Sequence, residues 1–206
     1  MDILNKEAWE QKALIRAGKL SVSELMQETF TRIETVNRHV NALVDLLSKE
    51  DCYKLASENT SLGGALGGMP MAIKDLANVK GFKTTEGSPL YSERVAQKDD
   101  QMVARLRAAG ALFIGKTNTP EFGLGSNTFN PVYGKTKNPY DLSKTCGGSS
   151  GGAAVALATR MLSISDGSDM MGSLRNPAAW NNVYGLRPTW GLIPPEPSGE
   201  IFLSQL

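Results

Sequence analysis

The sequence predicts an α/β protein, and three stretches carry that reading. Residues Asp100–Ala109 keep helical periodicity, Gly110 stops them, and Ala111-Leu-Phe-Ile114 follows as an apolar run of strand length. Met69-Pro-Met-Ala-Ile-Lys-Asp75 is a second apolar run, and it reads as a buried strand with Lys74 near its end. Ala153-Ala-Val-Ala-Leu-Ala-Thr-Arg160 is rich in the best helix former and largely apolar, so it reads as a buried helix.

The remaining elements follow in chain order. Residues 4–18 read as an amphipathic helix ending near Gly18. Ser21-Val-Ser-Glu24 is a capping box that opens a second helix, which runs to about Val40 with Leu25, Phe30, Ile33 and Val36 on one face. Residues 41–47 read as a short strand and 49–58 as a helix, broken by the glycine-rich Ser61–Gly68. Residues 117–147 are rich in Asn, Gly, Thr and Pro with little periodicity, and a loop of that length in a compact chain is usually functional. A helix from Gly152 and a brief strand at Met161–Ile164 complete the order. No repeat and no linker divides the 206 residues, so one domain is expected, with a mainly helical segment at 1–60 and a core at 61–206.

Composition narrows the classes of function. The formal net charge is +1, so nothing draws the chain to nucleic acid or to an anionic membrane. No run of about 18 apolar residues marks a membrane span, and the N-terminus lacks the basic-then-apolar pattern of a secretory signal, so a cytoplasmic protein is expected. Two cysteines, Cys52 and Cys146, are too few for a disulfide framework or a zinc site. The one histidine, His39, lies in a polar helical stretch and reads as a surface residue. A hydrolase built on these residues would therefore take its base from something other than histidine.

One constellation stands out. Gly147-Gly-Ser-Ser-Gly-Gly152 leads straight into the alanine-rich helix, and a second Gly/Ser block, Asp166-Gly-Ser-Asp-Met-Met-Gly-Ser-Leu-Arg175, follows. Taken alone, the first block reads as a flexible linker. A linker, however, would not run directly into a buried helix, and glycines there let backbone N–H groups converge on a ligand. Lys74 likewise has a plain reading, as a strand-end lysine paired with Asp75.

The two blocks, together with Gly67-Gly-Met-Pro-Met-Ala-Ile-Lys-Asp75, closely resemble the amidase signature family, and the resemblance runs from about Ser21 to the end. It implies an incomplete amidase-signature fold, a mixed β-sheet flanked by helices on both faces. It implies a Ser–Ser–Lys triad for hydrolysing a carboxylic amide to an acid plus ammonia or an amine. Ser173 matches the nucleophile, Lys74 the base, and Ser149, expected after a cis peptide at Gly148, the hydroxyl that passes the proton between them. Ser150 matches a supporting hydroxyl, Asp169 and Arg175 a structural ion pair, and the backbone N–H groups of Met170, Met171, Gly172 and Ser173 an oxyanion hole. The usual form has glycine where Met171 stands. No cofactor or metal is implied, the partner is a small-molecule amide, and a homodimer is possible.

Members of the family are roughly twice as long, so the resemblance implies that further strands lie beyond Ser198–Leu206. A catalytically incomplete fragment and a glutaminase-type subunit of a transfer-RNA amidotransferase remain alternatives, although the Met170-Met171 form looks more like stand-alone bacterial amidases. A phosphate loop is the remote alternative, because Gly110-Ala-Leu-Phe-Ile-Gly-Lys-Thr117 fits G-x-x-x-x-G-K-[ST] letter for letter. Its four middle residues are the expected strand itself, however, and an extended strand cannot wrap a phosphate.

Overall fold

The structure, a computed structural model, describes residues 3–58 and 62–193; the Ser198–Leu206 stretch lies outside them. A 3-10 turn at Ile3–Asn5 precedes helices α1 (Ala8–Arg16) and α2 (Val22–Val40), strand β1 (Leu43–Val44) and helix α3 (Lys49–Ser57). Strand β2 (Pro70–Lys74), helix α4 (Gln101–Ala108) and strand β3 (Leu112–Thr117) follow, then a hairpin of β4 (Phe129–Asn130) and β5 (Gly134–Lys135). Helices α5 (Gly151–Ala158) and α6 (Arg175–Trp180) end the described elements.

Local chemistry accounts for most boundaries. The capping box forms as expected: the Ser21 hydroxyl accepts from Glu24 N at 3.1 Å, and the Glu24 carboxylate accepts from Ser21 N at 2.8 Å. The first helix is shorter than the 4–18 expected. Gln11 Nε2 donates to the carbonyls of Ile3 and Lys6, at 3.0 and 3.1 Å, and folds those residues into a separate turn. The strand expected at 41–47 shrinks to two residues because the backbone is left-handed on either side of it, at Asn41 (φ 53°) and Asp45 (φ 43°). No strand forms at Met161–Ile164: Met161 N and Leu162 N both donate to Ala156 O, closing the end of α5 instead of entering a ladder.

The sheet order is β1-β3-β2, with β1 antiparallel and β2 parallel to β3, so the sheet is mixed. Its two faces bury different sets. Ala72, Leu112 and Ile114 pack with residues of α1, α2, α3 and α5, while Met71, Ile73 and Phe113 pack with Val79, Phe82 and Val103 of α4. Helices therefore cover both faces.

An irregularity in register decides where two lysines go. Met71 pairs with Phe113 but Ala72 pairs with Gly115, so β3 carries one extra residue at that point. Beyond it Ile73 faces Lys116 and Lys74 faces Thr117, which sends Lys74 to the α5 face and Lys116 to the α4 face. There Lys116 is fully buried, donates to Ala77 O at 2.7 Å, and lies 3.5 Å from Asp75 Oδ1. Gly115-Lys116-Thr117 are strand residues followed by a three-residue 3-10 turn at Glu121–Gly123 and not by an α-helix, so no phosphate loop forms. Asp75 belongs to Lys116, leaving Lys74 to other partners.

The α5 face is close enough to the sheet to require glycine. A Cβ at Gly152 would lie 2.4 Å from Asn118 N and 2.6 Å from Ala42 O. Gly152→Ala is therefore expected to destabilise the fold by about 1–3 kcal/mol, as overpacking of rigid backbone does. A lowered urea midpoint with unchanged m-value would show it.

Candidate active site

Lys74 is the last residue of β2, and Ser149 and Ser150 stand immediately before α5, so the end of a strand meets the start of a helix. The glycines around the serines allow this approach: Gly151 has Thr128 Oγ1 at 2.2 Å and Cys146 Sγ at 2.6 Å from where a Cβ would lie. Thr128, from the long loop, ties the run down. Its hydroxyl donates to Gly147 O at 2.9 Å and accepts from Gly151 N at 3.1 Å. The Gly148–Ser149 peptide is cis.

The Lys74 side chain is buried, and its Nζ lies 2.7 Å from Ser149 Oγ, 2.9 Å from Ser150 Oγ and 2.8 Å from Ser168 Oγ. Burial pushes its amine down to about 7, against the opposing pull of the Asp166 and Asp169 carboxylates. A charged amine would donate to all three hydroxyls, whereas a neutral one donates to two and accepts from the third. Ser150 already donates to Ser168 O at 3.3 Å and accepts from Ser168 N at 3.2 Å, so its proton is committed. The Ser149 hydroxyl has no such second contact among the described residues, which suits it to donate to the neutral amine.

Ser173 is half-buried beside this cluster, and its carbonyl accepts from Ser150 N at 2.8 Å. Among the described residues its hydroxyl makes no hydrogen bond, and none joins it to Ser149. The structure thus brings Lys74, Ser149 and Ser150 into contact and anchors Ser173 to them through the backbone. His39 is exposed on α2 and takes no part.

Asp169 organises the loop that carries Ser173. It is buried, accepts from Arg175 Nε at 2.8 Å and Nη2 at 3.0 Å, and also takes the N–H groups of Gly172, Leu174 and Arg175. Burial works to raise its pKa, but these hydrogen bonds prevail and hold the carboxyl well below the usual range. Gly172 N–H is thereby spent on Asp169 at 2.7 Å, so it is turned away from any oxyanion. The N–H groups of Met170, Met171 and Ser173 make no hydrogen bond to a described residue, and the Met171 side chain is 86% exposed.

Asp169→Asn is expected to cost about 2–3 kcal/mol at pH 7, the low side for breaking a buried pair, because Arg175 is itself half exposed. With its folded-state pKa depressed, Asp169 stabilises the fold above the unfolded value and loses that contribution as pH falls through the folded one. The gap between wild type and variant in urea unfolding should therefore narrow below about pH 4.

Two members of this cluster are not evident from the sequence alone. Ser168 touches the amine directly, and Asp166 accepts from Lys74 N at 2.9 Å. Both lie in the second Gly/Ser block, whose unusual polarity is the signal that points to them.

The site is thus a buried amine among serine hydroxyls, at the junction of a mixed sheet and a glycine-led helix. The sequence profile of a family described as Amidase matches residues 24–205. A glutamyl-tRNA(Gln) amidotransferase subunit of Saccharolobus solfataricus is 38% identical over 179 residues, covering 87% of this chain and 37% of that protein. Among solved structures, 6-aminohexanoate cyclic dimer hydrolase superposes with a TM-score of 0.78 at 34% identity, over 86% of this chain and 36% of that one. The corresponding glutamyl-tRNA(Gln) amidotransferase subunit of Thermotoga maritima gives 0.80 at 32%, over 94% and 40%. The chain belongs to the amidase signature family. It spans about two fifths of the length of the relatives it matches.

Proposed function

We propose that this chain carries the catalytic centre of an amide hydrolase, with Ser173 as nucleophile, Ser149 as proton relay and Lys74 as base. The observation that carries the reading is a buried lysine whose amine meets, among the described residues, three hydroxyl groups within hydrogen-bond distance. Amide hydrolysis needs a base that is neutral near pH 7, and a solvated lysine, with a pKa of about 10.4, is not one. Burial supplies the shift.

In the proposed reaction Ser173 Oγ attacks the carbonyl carbon while its proton passes to Ser149, whose own proton passes to Lys74 Nζ. The attack requires the Ser173 hydroxyl to turn toward Ser149. The resulting oxyanion is served by the N–H groups of Met170, Met171 and Ser173, each such donor being worth about 3–4 kcal/mol in comparable enzymes. The proton returns along the same path to the leaving nitrogen, the C–N bond breaks, and an ester remains on Ser173. Water, deprotonated by the same relay, then frees the acid. Ser150 and Asp169 with Arg175 position these groups and exchange no proton with substrate.

Two amide classes are in view. The amidotransferase relatives make the side-chain amide of glutamine one candidate; 6-aminohexanoate cyclic dimer hydrolase, which has also been solved with its substrate, makes a lactam-like amide the other. Incubating the 206-residue chain with glutamine and with a panel of cyclic amides, and measuring ammonia release from the first and new primary amine from the second, decides between them. Mass spectrometry after an acylating or phosphonylating probe should place the adduct on Ser173. An adduct on another residue would overturn the assignment.

A further inference from the structure

The outer edge of β2 has no strand beside it among the described residues, yet its backbone groups are occupied. Ser165 Oγ donates to Ala72 O at 3.2 Å, and Asp166 Oδ1 accepts from Lys74 N at 2.9 Å. Two side chains thus take the place of a ladder. An asparagine or serine could also accept the Lys74 N–H, though less strongly, so the hydrogen bond alone does not require a carboxylate. What Asp uniquely adds is a negative charge on the peptide group of the proposed base.

We propose that Asp166 is a positioning residue that sets the basicity of Lys74, its carboxylate holding the amine basic enough to accept the nucleophile's proton and return it to the leaving nitrogen. Burial by itself drives a lysine toward permanent neutrality, and an amine too weakly basic would hold no proton for the leaving group. A nearby carboxylate opposes that drift. Asp166 is the foremost group opposing burial at Lys74; burial raises its own carboxyl pKa in turn, against the Lys74 N–H bond and the charges of Lys74 and Lys116, which favour the anion.

The other charged groups around it are already committed. Lys116 from β3 is held by Asp75 at the end of β2, and Asp169 from the same loop as Asp166 is held by Arg175 and Arg187. Asp166 itself lines a cleft of about 770 Å³ and is partly open to it, which moderates its effect.

The inference rests on Lys74 being the base, and the test separates the two claims. The Lys74 amine, labelled with ¹³Cε and ¹⁵Nζ lysine and assigned by its loss in Lys74→Met, is titrated by NMR in wild type, Asp166→Asn, Asp166→Ser and Asp166→Glu. The expected result is a wild-type midpoint near 7 and a midpoint lower by about one unit in both neutral variants, with Glu close to wild type. The acidic limb of the pH–rate profile should move down with it. Two neutral variants guard against one failing to fold. A wild-type midpoint near 7 that stays put in the neutral variants overturns the role of Asp166 alone. A wild-type midpoint near the solvated value of about 10.4 overturns the base assignment, and this inference with it.

Discussion

Lys74→Met is expected to slow amide turnover about 10⁴-fold while leaving the fold at least as stable as wild type at neutral pH. Both effects have one cause. The amine has a folded-state value of about 7, against about 10.4 in the unfolded chain. Between those values the unfolded state binds one proton more than the folded state, so this group makes wild-type stability climb as pH rises. The climb amounts to about 4 kcal/mol in order of magnitude. Methionine fills the same space and carries no charge, so the variant lacks the climb. Its advantage is greatest below about pH 7 and shrinks by about 4 kcal/mol toward pH 10.

Against that gain stand three hydroxyls that lose a partner, although Ser150 keeps its bond to Ser168 O. Urea unfolding of both proteins at about pH 6, 8 and 10 separates the terms, because the lost hydroxyl contacts do not titrate. A difference that stays flat across that range would mean that the lysine is charged inside the fold. The proposed base would then be lost.

Ser173→Ala should abolish turnover as completely, by about 10⁴-fold or more, with a different signature. The Ser173 hydroxyl is half-buried and makes no hydrogen bond to a described residue, so its removal leaves no buried group unpaired. Stability should change by less than about 0.5 kcal/mol and show no new dependence on pH. Substrate binding should persist, since the oxyanion donors are backbone N–H groups that alanine retains at this position. Equilibrium binding of the amide to this variant, with no acid or amine released, is the expected outcome. Release at the wild-type rate would place the nucleophile elsewhere. The two variants together form a stricter test than either alone, because only the lysine is expected to couple activity to the pH dependence of folding.

What is legible in the sequence depends on the range of the interactions involved. The capping box at Ser21–Glu24, the stop at Gly110 and the start of α5 at the glycine run can all be read, because each is decided within a few residues. The strand expected at Met161–Ile164 fails for the opposite reason: an apolar stretch becomes a strand only if a partner accepts its backbone, and here Ala156 O takes two of its N–H groups. The plain pairing of Lys74 with Asp75 fails as well. Adjacent residues on a strand point to opposite faces, so Asp75 meets Lys116 and Lys74 meets the serines.

Chain order and residue type were enough to expect an α/β class, while it was the resemblance of the glycine–serine blocks to the amidase signature family that grouped Lys74, Ser149 and Ser150 with Ser173. Glycine spacing and hydroxyl placement are written locally, so they survive reading in one dimension. The extra residue in β3, the spending of Gly172 N–H on Asp169 and the approach of Ser168 and Asp166 to Lys74 could not be read that way. The meeting at Lys74 depends on segments far apart in the chain excluding water from the same small space, and that exclusion is what pulls the lysine amine below its ordinary value.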